Sequence, residues 1–372
     1  MEENKFLELH VLDVGHGDSL VLCFPDGHSF GIIDCHRHGT SKRGFGFRHD
    51  ADEPKALTYF QNLVVKGASP VVEFACLTHP HADHYTGFAV LLESLLEMDI
   101  PIREYWDFGA SARKARVLRQ MSRLPAQEQL CESLERLCIV QLRLLEDHGC
   151  RYRILASPAR GFWSGHGVTI DVVAPPALLA QAYWNFLACN TYAEQREFLA
   201  VQPHAGDDNV ISSALRICYE DARLLLGGDV IGVAWREIVR DGSVDLGCQA
   251  LKVSHHGSKG ASFLDNGTPV WHFFHKDPSC LIAAISGGYR PSLPHADTLF
   301  ALERDGVTYY CTGPISTAPA CPYRPSSVSD AMVLTQLELE GVLEVADASG
   351  SGSGDITVTL ATDGTCEVCC ER

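Results

Sequence analysis

Thr78-His79-Pro80-His81-Ala82-Asp83-His84 gathers three imidazoles and a carboxylate on one short stretch, the donor types that Zn²⁺ prefers. The apolar run Val71-Val72-Glu73-Phe74-Ala75-Cys76-Leu77 ahead of it reads as a buried strand. Phe88-Ala89-Val90-Leu91-Leu92 behind it reads as the opening of an apolar helix. The polar residues therefore stand on a strand-to-helix turn, outside the carboxyl end of a sheet. Such a turn can aim His79 and His81 at one point and Asp83 and His84 at a second point close by. Pro80 stiffens it. A His-rich surface loop is the plain alternative, but short loops rarely combine these donors by accident.

Two later segments repeat the pattern. Ala222-Arg223-Leu224-Leu225-Leu226-Gly227-Gly228-Asp229 is an apolar strand closed by a glycine pair and a carboxylate. On its own it says little; downstream of the histidine turn, Asp229 becomes a candidate bridge between metals. Gln249-Ala250-Leu251-Lys252-Val253-Ser254-His255-His256-Gly257-Ser258 is another strand, closed by imidazoles. His255 is expected to leave it pointing at the metals. His256, Gly257 and Ser258 are expected to begin a turn that can donate to a substrate oxygen. Earlier, Asp34 ends Phe30-Gly31-Ile32-Ile33, placed to orient a metal-bound imidazole from behind. Asp13-Val14-Gly15-His16-Gly17-Asp18-Ser19 is too polar and Gly-rich for a plain hairpin. It is read either as a simple turn or as backbone brought close to a ligand.

Around these segments lie strands at 6–35, helices at 54–67 and 88–98, and strands at 151–156 and 168–174. A hairpin of strands over 207–217 and 222–229, a helix at 231–240, a strand at 280–287, a helix at 296–304 and a strand at 307–311 follow. The tail is strand-like at 332–334, 343–345 and 356–360. Two helical excursions, 111–148 (split at Pro125) and 177–200, read as insertions that cap or wall the site. The aromatics of the second, Tyr183, Trp184, Phe186 and Tyr192, are taken as core packing rather than a substrate wall. The tally is an α/β chain with two sheets flanked by helices.

The composition fits a globular protein: 372 residues, 46% of them hydrophobic. Met1-Glu2-Glu3-Asn4-Lys5 shows no secretory pattern and no apolar run reaches the length of a membrane span, so a soluble, cytoplasmic protein is expected. The 15 cysteines are scattered singly through apolar segments, as reduced core thiols are. Cys366 with Cys369-Cys370 has no second cluster to complete a metal site and reads as a Cys-rich chain end. A formal charge of −17 weighs against a broad grip on nucleic acid. The basic, His-rich stretch 36–53, with Arg37, His38, Lys42, Arg43, Arg48 and His49, is the local exception, a candidate anion contact.

In order along the chain, the Asp13–Asp18 loop, Ile33-Asp34-Cys35, the His79–His84 turn, Asn209 with Ser212 and Ser213, Gly228-Asp229 and Ser254–Ser258 resemble the metallo-β-lactamase-fold hydrolases related to the C-terminal domain of the DNA-uptake channel ComEC. Pro294-His295 and Cys311-Thr312-Gly313 resemble later elements of that group. His16 stands where its members typically carry Gln. The resemblance implies an αββα sandwich with a dinuclear metal site. His79 and His81 would then hold the first metal, and Asp83, His84 and His255 the second, with Asp229 bridging. Two divalent ions are implied, Zn²⁺ first, with Mn²⁺ or Fe as alternatives. The superfamily's further first-metal His is absent; Asn209 falls near its place and His204 lies five residues earlier, leaving Asn209, His204 or water as that ligand. The resemblance covers 1–315 as one hydrolase domain, with 316–372 a strand-rich extension packed on it. It implies phosphodiester hydrolysis, on nucleic acid or a nucleotide, by metal-activated water. Asp83 would orient or deprotonate the water, and His256 or Ser258 would meet the developing charge. Two alternatives stand beside it: carboxyl ester, thioester or lactone hydrolysis, and a regulatory subunit with a degenerate metal site acting through a protein partner. No membrane channel accompanies the match.

Overall fold

Alternation along single strands assigns the layers. In Ser19–Cys23 (β2), Leu20 and Leu22 point into one apolar core while Val21 and Cys23 point into another, as period-two side chains must. A computed structural model describes residues 6–37, 53–121, 125–287, 293–313 and 354–371. Its first half runs β1 (Phe6–Val11), β2, β3 (Ser29–Cys35), α1 (Lys55–Val65), β4 (Val71–Cys76), α2 (Ala82–Tyr85), α3 (Phe88–Glu97), β5 (Glu104–Asp107), α4 (Ser111–Met121), α5 (Pro125–Asp147) and β6 (Arg151–Ile154). The second half runs β7 (Ala159–Gly165), β8 (Val168–Ala174), α6 (Ala177–Ala188), α7 (Tyr192–Val201), β9 (Ala214–Tyr219), β10 (Ala222–Leu226), α8 (Gly232–Asp241), β11 (Ala250–Lys252), α9 (Lys259–Ser262), β12 (Ile282–Ile285), α10 (Ala296–Arg304) and β13 (Thr308–Cys311). β14 (Asp355–Ala361) and β15 (Cys366–Glu371) then return to the first half.

Two sheets result, ordered β15-β14-β1-β2-β3-β4-β5-β6 and β13-β12-β11-β10-β9-β8-β7. Leu9, Leu22, Phe74 and Trp106 from the first sheet meet Ile170, Leu215, Ile217 and Leu224 from the second in a shared core. Each such side chain, fully buried, contributes roughly 1.5–3 kcal/mol. Helices α1, α3, α4, α5 and α6 cover the outer face of the first sheet, and α8 and α10 the outer face of the second. This is the expected αββα sandwich, a mixed α/β fold. From β3 to β6 and from β10 to β13 the pairing is parallel, so the carboxyl ends of β3, β4, β10 and β11 deliver their loops to one edge.

Several expectations change. Residues 159–165, between the strands expected at 151–156 and 168–174, form strand β7; its half-exposed edge position and two glycines dilute the alternation. β5 is a further strand, too short at four residues to carry a period of its own. The excursion at 177–200 is two helices, because a capping box between Thr191 and Glu194 starts the second afresh. Its Tyr183 is buried in the core, whereas Tyr192 is exposed. The Cys-rich end is β15, pairing antiparallel with β14. A strand turns Cys369 away from Cys366 and Cys370, so the three sulfurs do not converge. The described cysteines are all free thiols, and among the described residues no helix is long and apolar enough to cross a membrane. The basic stretch from His38 to His49 and the tail segments 332–334 and 343–345 lie outside the described residues.

Candidate metal centre

His81 is extended (φ −90°, ψ 143°) and caps α2. His79 and His81 therefore share one side of an extended chain, while Asp83 and His84 ride the first helical turn. β10 and β11 bring Asp229 and the His255-His256 pair to the same place. Asp229 is the hub: its Oδ2 lies 3.3 Å from His84 Nε2, 3.6 Å from His256 Nε2, 3.7 Å from His79 Nε2 and 3.8 Å from His255 Nε2. Donors about 2.0–2.1 Å from one tetrahedral ion stand roughly 3.3–3.4 Å apart, close to these spacings. His79, His81 and Asp229 form one group of converging donors and His84, Asp229 and His256 another. Asp83 leans on the second, with Oδ2 3.3 Å from His256 Nε2, and reaches His81 Nδ1 at 3.4 Å.

The chemistry of the donor set fits divalent ions. His79 Nε2, His81 Nδ1, His84 Nε2, His256 Nε2, Asn209 Oδ1 and both Asp229 oxygens are buried without a hydrogen-bond partner. Each such atom costs about 1–3 kcal/mol, and folded proteins hold few of them. Their concentration at one sheet edge is what bound cations would offset.

The outward-facing nitrogens are held for this task. Asp34 Oδ2 accepts from His84 Nδ1 at 2.7 Å and from the Thr78 hydroxyl at 2.7 Å. That hydroxyl in turn lies 3.0 Å from His79 Nδ1, so protons on both Nδ1 atoms leave both Nε2 lone pairs facing Asp229. His256 Nδ1 donates to the Ser286 carbonyl at 2.7 Å, which fixes the same tautomer. Behind His256, the fully buried Lys252 pairs with Asp18, which also accepts from the Ser286 hydroxyl.

Burial alone would push the Asp229 and Asp83 carboxyls up. The imidazoles of His84, His256 and His255 hold Asp229 well below the usual range, and those of His16 and His256 do the same for Asp83. Burial works to lower His84, yet Asp229 and Asp34 raise it well above its ordinary value. Burial, with His84 nearby, drives His79 well down, and burial takes His255 to about 4.

The backbone accepts strain here. Asp34, His255 and His256 have φ of 57°, 50° and 52°, positions that cost on the order of 1–3 kcal/mol for residues other than glycine. Gly228 (φ +49°) has no room for a side chain: a Cβ would stand 2.4 Å from the Ser213 carbonyl oxygen. Asp229 can follow it only because that carbonyl and the Ser212 hydroxyl, which accepts from the Asp229 amide at 2.8 Å, close over bare backbone.

His79, His81, Asp83, His84 and Asp229 thus meet as a group, with Asp34 behind His84. The tandem histidines exchange their expected places. His256 is fully buried and turned into the centre, where it was expected to face substrate; His255, expected to lead, is 23% exposed on the rim. The physical reason is the left-handed backbone at both residues, which rotates the second ring onto the Ser286 carbonyl. Asn209 is buried on the segment Asp208–Ile211, which α4 and α6 pin through Lys114 (2.6 Å) and the Tyr183 hydroxyl (2.7 Å) to Asp208. His204 is exposed and outside the donor groups; it borders a cavity of about 630 Å³ with Ile231, Lys259 and Phe263. Ser258 is buried and caps α9, its amide donating to the His255 carbonyl. Thr78, Lys252 and Ser286 escaped the sequence reading. Only Lys252, a lone charge inside an apolar strand, carried a signal.

No model of a known protein family matches the chain, and no curated protein matches it. Similar solved structures include Zn²⁺-bound PqqB from Methylobacterium extorquens, with a TM-score of 0.39 and 11% identity over 81% of this chain and 97% of that one. The hydrolase AbOPH of the beta lactamase superfamily has a TM-score of 0.31 and 13% identity, over 58% of this chain and 56% of its own length. A metallo-beta-lactamase of Cronobacter sakazakii with a HARLDQ motif has a TM-score of 0.32 and 12% identity, over 65% and 76%. These neighbours are metallo-β-lactamase-fold proteins at low identity, and the chain spans little more than half the length of AbOPH, 56%.

Proposed function

We propose that the chain is a metal-dependent hydrolase holding two divalent ions, Zn²⁺ first and Mn²⁺ or Fe next, and that it cleaves phosphodiesters in nucleic acid or a nucleotide. The observation that carries the metal centre is the orphaned carboxylate of Asp229 among four imidazoles. His79 and His81 would hold one ion, Asp83, His84 and His256 the other, with Asp229 shared; His255 or Asn209 would complete the first. Divalent ions bound here supply Lewis acidity toward an ester oxygen and a water acidic enough to ionise near neutral pH. Asp83, kept ionised by its neighbours, is the group to take a proton from that water or align it. His255, partly exposed, and Ser258 would meet charge on the leaving oxygen.

Carboxyl ester, thioester or lactone hydrolysis is the second function, favoured by the cavity that His204 and Lys259, the residue after Ser258, border. Ile231, Phe263, Leu264 and Phe300 make much of its wall, and its Lys259 is paired with Asp297. Such a wall suits an acyl chain better than a polyanion. A panel of bis-nitrophenyl phosphate, oligonucleotides, a thioester and a lactone, run with Zn²⁺ and with Mn²⁺, separates the two. Phosphodiester turnover that vanishes in Asp83→Ala and His81→Ala proteins of unchanged fold is expected. Equal turnover in wild type and variants would overturn the proposal, and metal content far below one per chain would leave a regulatory subunit.

A further inference from the structure

The two-ion centre leaves one neighbouring imidazole without a role. His16 lies in the loop between β1 and β2, on none of the segments that supply the other donors. Its Nε2 stands 3.2 Å from Asp83 Oδ2, and its side chain is 10% exposed. Its ring centre is 4.4 Å from that of His256, the planes inclined by 53°. The donor atoms of His16, Asp83 and His256 fall within 4.8 Å of one another, and His256 belongs equally to the group with His84 and Asp229.

We propose that His16 is a further ligand of the ion at the His84–His256 end, which makes the donor set there five: the imidazoles of His16, His84 and His256 and the carboxylates of Asp83 and Asp229. This rests on the metal-centre reading above and extends it.

The loop is built to present that ring. Gly17 (φ +135°) lies so close to α2 that a Cβ would stand 2.5 Å from the Asp83 carbonyl oxygen. The next amide, Asp18, donates to that same oxygen at 3.0 Å, and the Asp18 carbonyl accepts from the His36 amide at 2.9 Å. The Asp18 side chain is clamped by Lys252 and Ser286. The backbone after His16 is thus fastened to the residue it would share an ion with. A surface histidine bonded casually to a carboxylate needs no such fastening, whereas a ligand does, since its ring must be in position before the ion arrives.

Five protein donors exceed the closed four-coordinate arrangement usual for structural Zn²⁺ and suit an ion that accepts five or six ligands, such as Mn²⁺, Fe²⁺ or Co²⁺. The test is loading with Co²⁺, whose visible bands weaken as coordination rises from four to five or six. Wild type is expected to take up two Co²⁺ ions, one with weak bands. His16→Gln and His16→Ala are expected to strengthen those bands and to weaken that ion's binding by about tenfold or more, read by chelator competition, while the other ion is unaffected. Thermal midpoints measured in EDTA must match wild type, and His204→Ala serves as a control histidine. Two ions bound with unchanged spectra and affinities in both His16 variants would overturn the ligand and leave the centre standing. No Co²⁺ uptake by wild type would overturn the centre and this ligand together.

Discussion

The two ends of the imidazole–carboxylate centre are built from different materials. The His79–His81 end is local: both rings come from one turn, and the hydroxyls of Thr78 and Ser212 lie 3.0 and 3.4 Å from His79 Nδ1. The His84–His256 end is assembled from distant chain. His84 leans on Asp34 from β3, His256 on the Ser286 carbonyl after β12, and Asp18 with the buried Lys252 stands behind both. A short motif supplies both rings of the first end, and Asp229 and Ser212 reach them from the second sheet. The second end draws its rings and their supports from more separate segments, so it depends more widely on how the two sheets pack.

Removing what the ends share should break the comparison altogether. In the proposed centre Asp229→Asn would take the shared charge from both, and metal content measured by mass spectrometry should fall from about two ions to below one per chain. The loss of affinity should exceed the roughly 10–100-fold expected for residues that only support ligands. Retention of both ions would remove Asp229 from the hub.

Lys252→Met should strike the far-assembled end alone. It strands the buried Asp18 carboxylate, at a cost of about 3–5 kcal/mol in denaturant unfolding. The Lys252→Met/Asp18→Asn double variant should recover part of that stability. Ion binding at the His79–His81 end should survive in both. Thr78→Val is the converse. It removes the hydroxyl between His79 and Asp34 and should weaken the local end's ion by about 10–100-fold, with a small change in thermal midpoint.

The smallest effect lies away from the centre and shows how ordinary burial of a histidine behaves. His10 bonds Thr357 across β1 and β14 at 3.0 Å, and burial lowers its pKa to about 4, with Asp355 opposing. Between pH 6.5 and about 4 the unfolded chain binds the extra proton, so this residue's contribution is present above pH 6.5 and is lost as pH falls toward 4. Stability curves of wild type and His10→Gln should therefore converge over that window. A constant difference from pH 7 to pH 4 would show that folding leaves the His10 pKa unshifted.

Much of the centre was legible early because its donors end apolar strands: His79 after β4, Asp229 after β10, Asp34 in β3. An apolar strand run is readable from its residues, and a polar residue at its carboxyl end is placed at a sheet edge by that fact. β5 and β7 were not legible, since four residues and an exposed, Gly-interrupted edge strand carry too little period. The Cys-rich end, read as a chain end without a metal site, hid its strand for a different reason. β15 is a strand through its pairing with β14, not through its own pattern.

By itself the sequence determined that a strand-to-helix turn would present His79, His81, Asp83 and His84 together, because periods of two and 3.6 residues act over a few neighbours. Which ring of the tandem pair turns inward was decided elsewhere. Left-handed backbone at His255 and His256 is tolerated only where the Ser286 carbonyl waits for His256. Lys252 is charged and fully buried only because Asp18, more than two hundred residues away, lies opposite it. Such choices depend on partners that no local pattern encodes, and packing two sheets against each other is what supplies them.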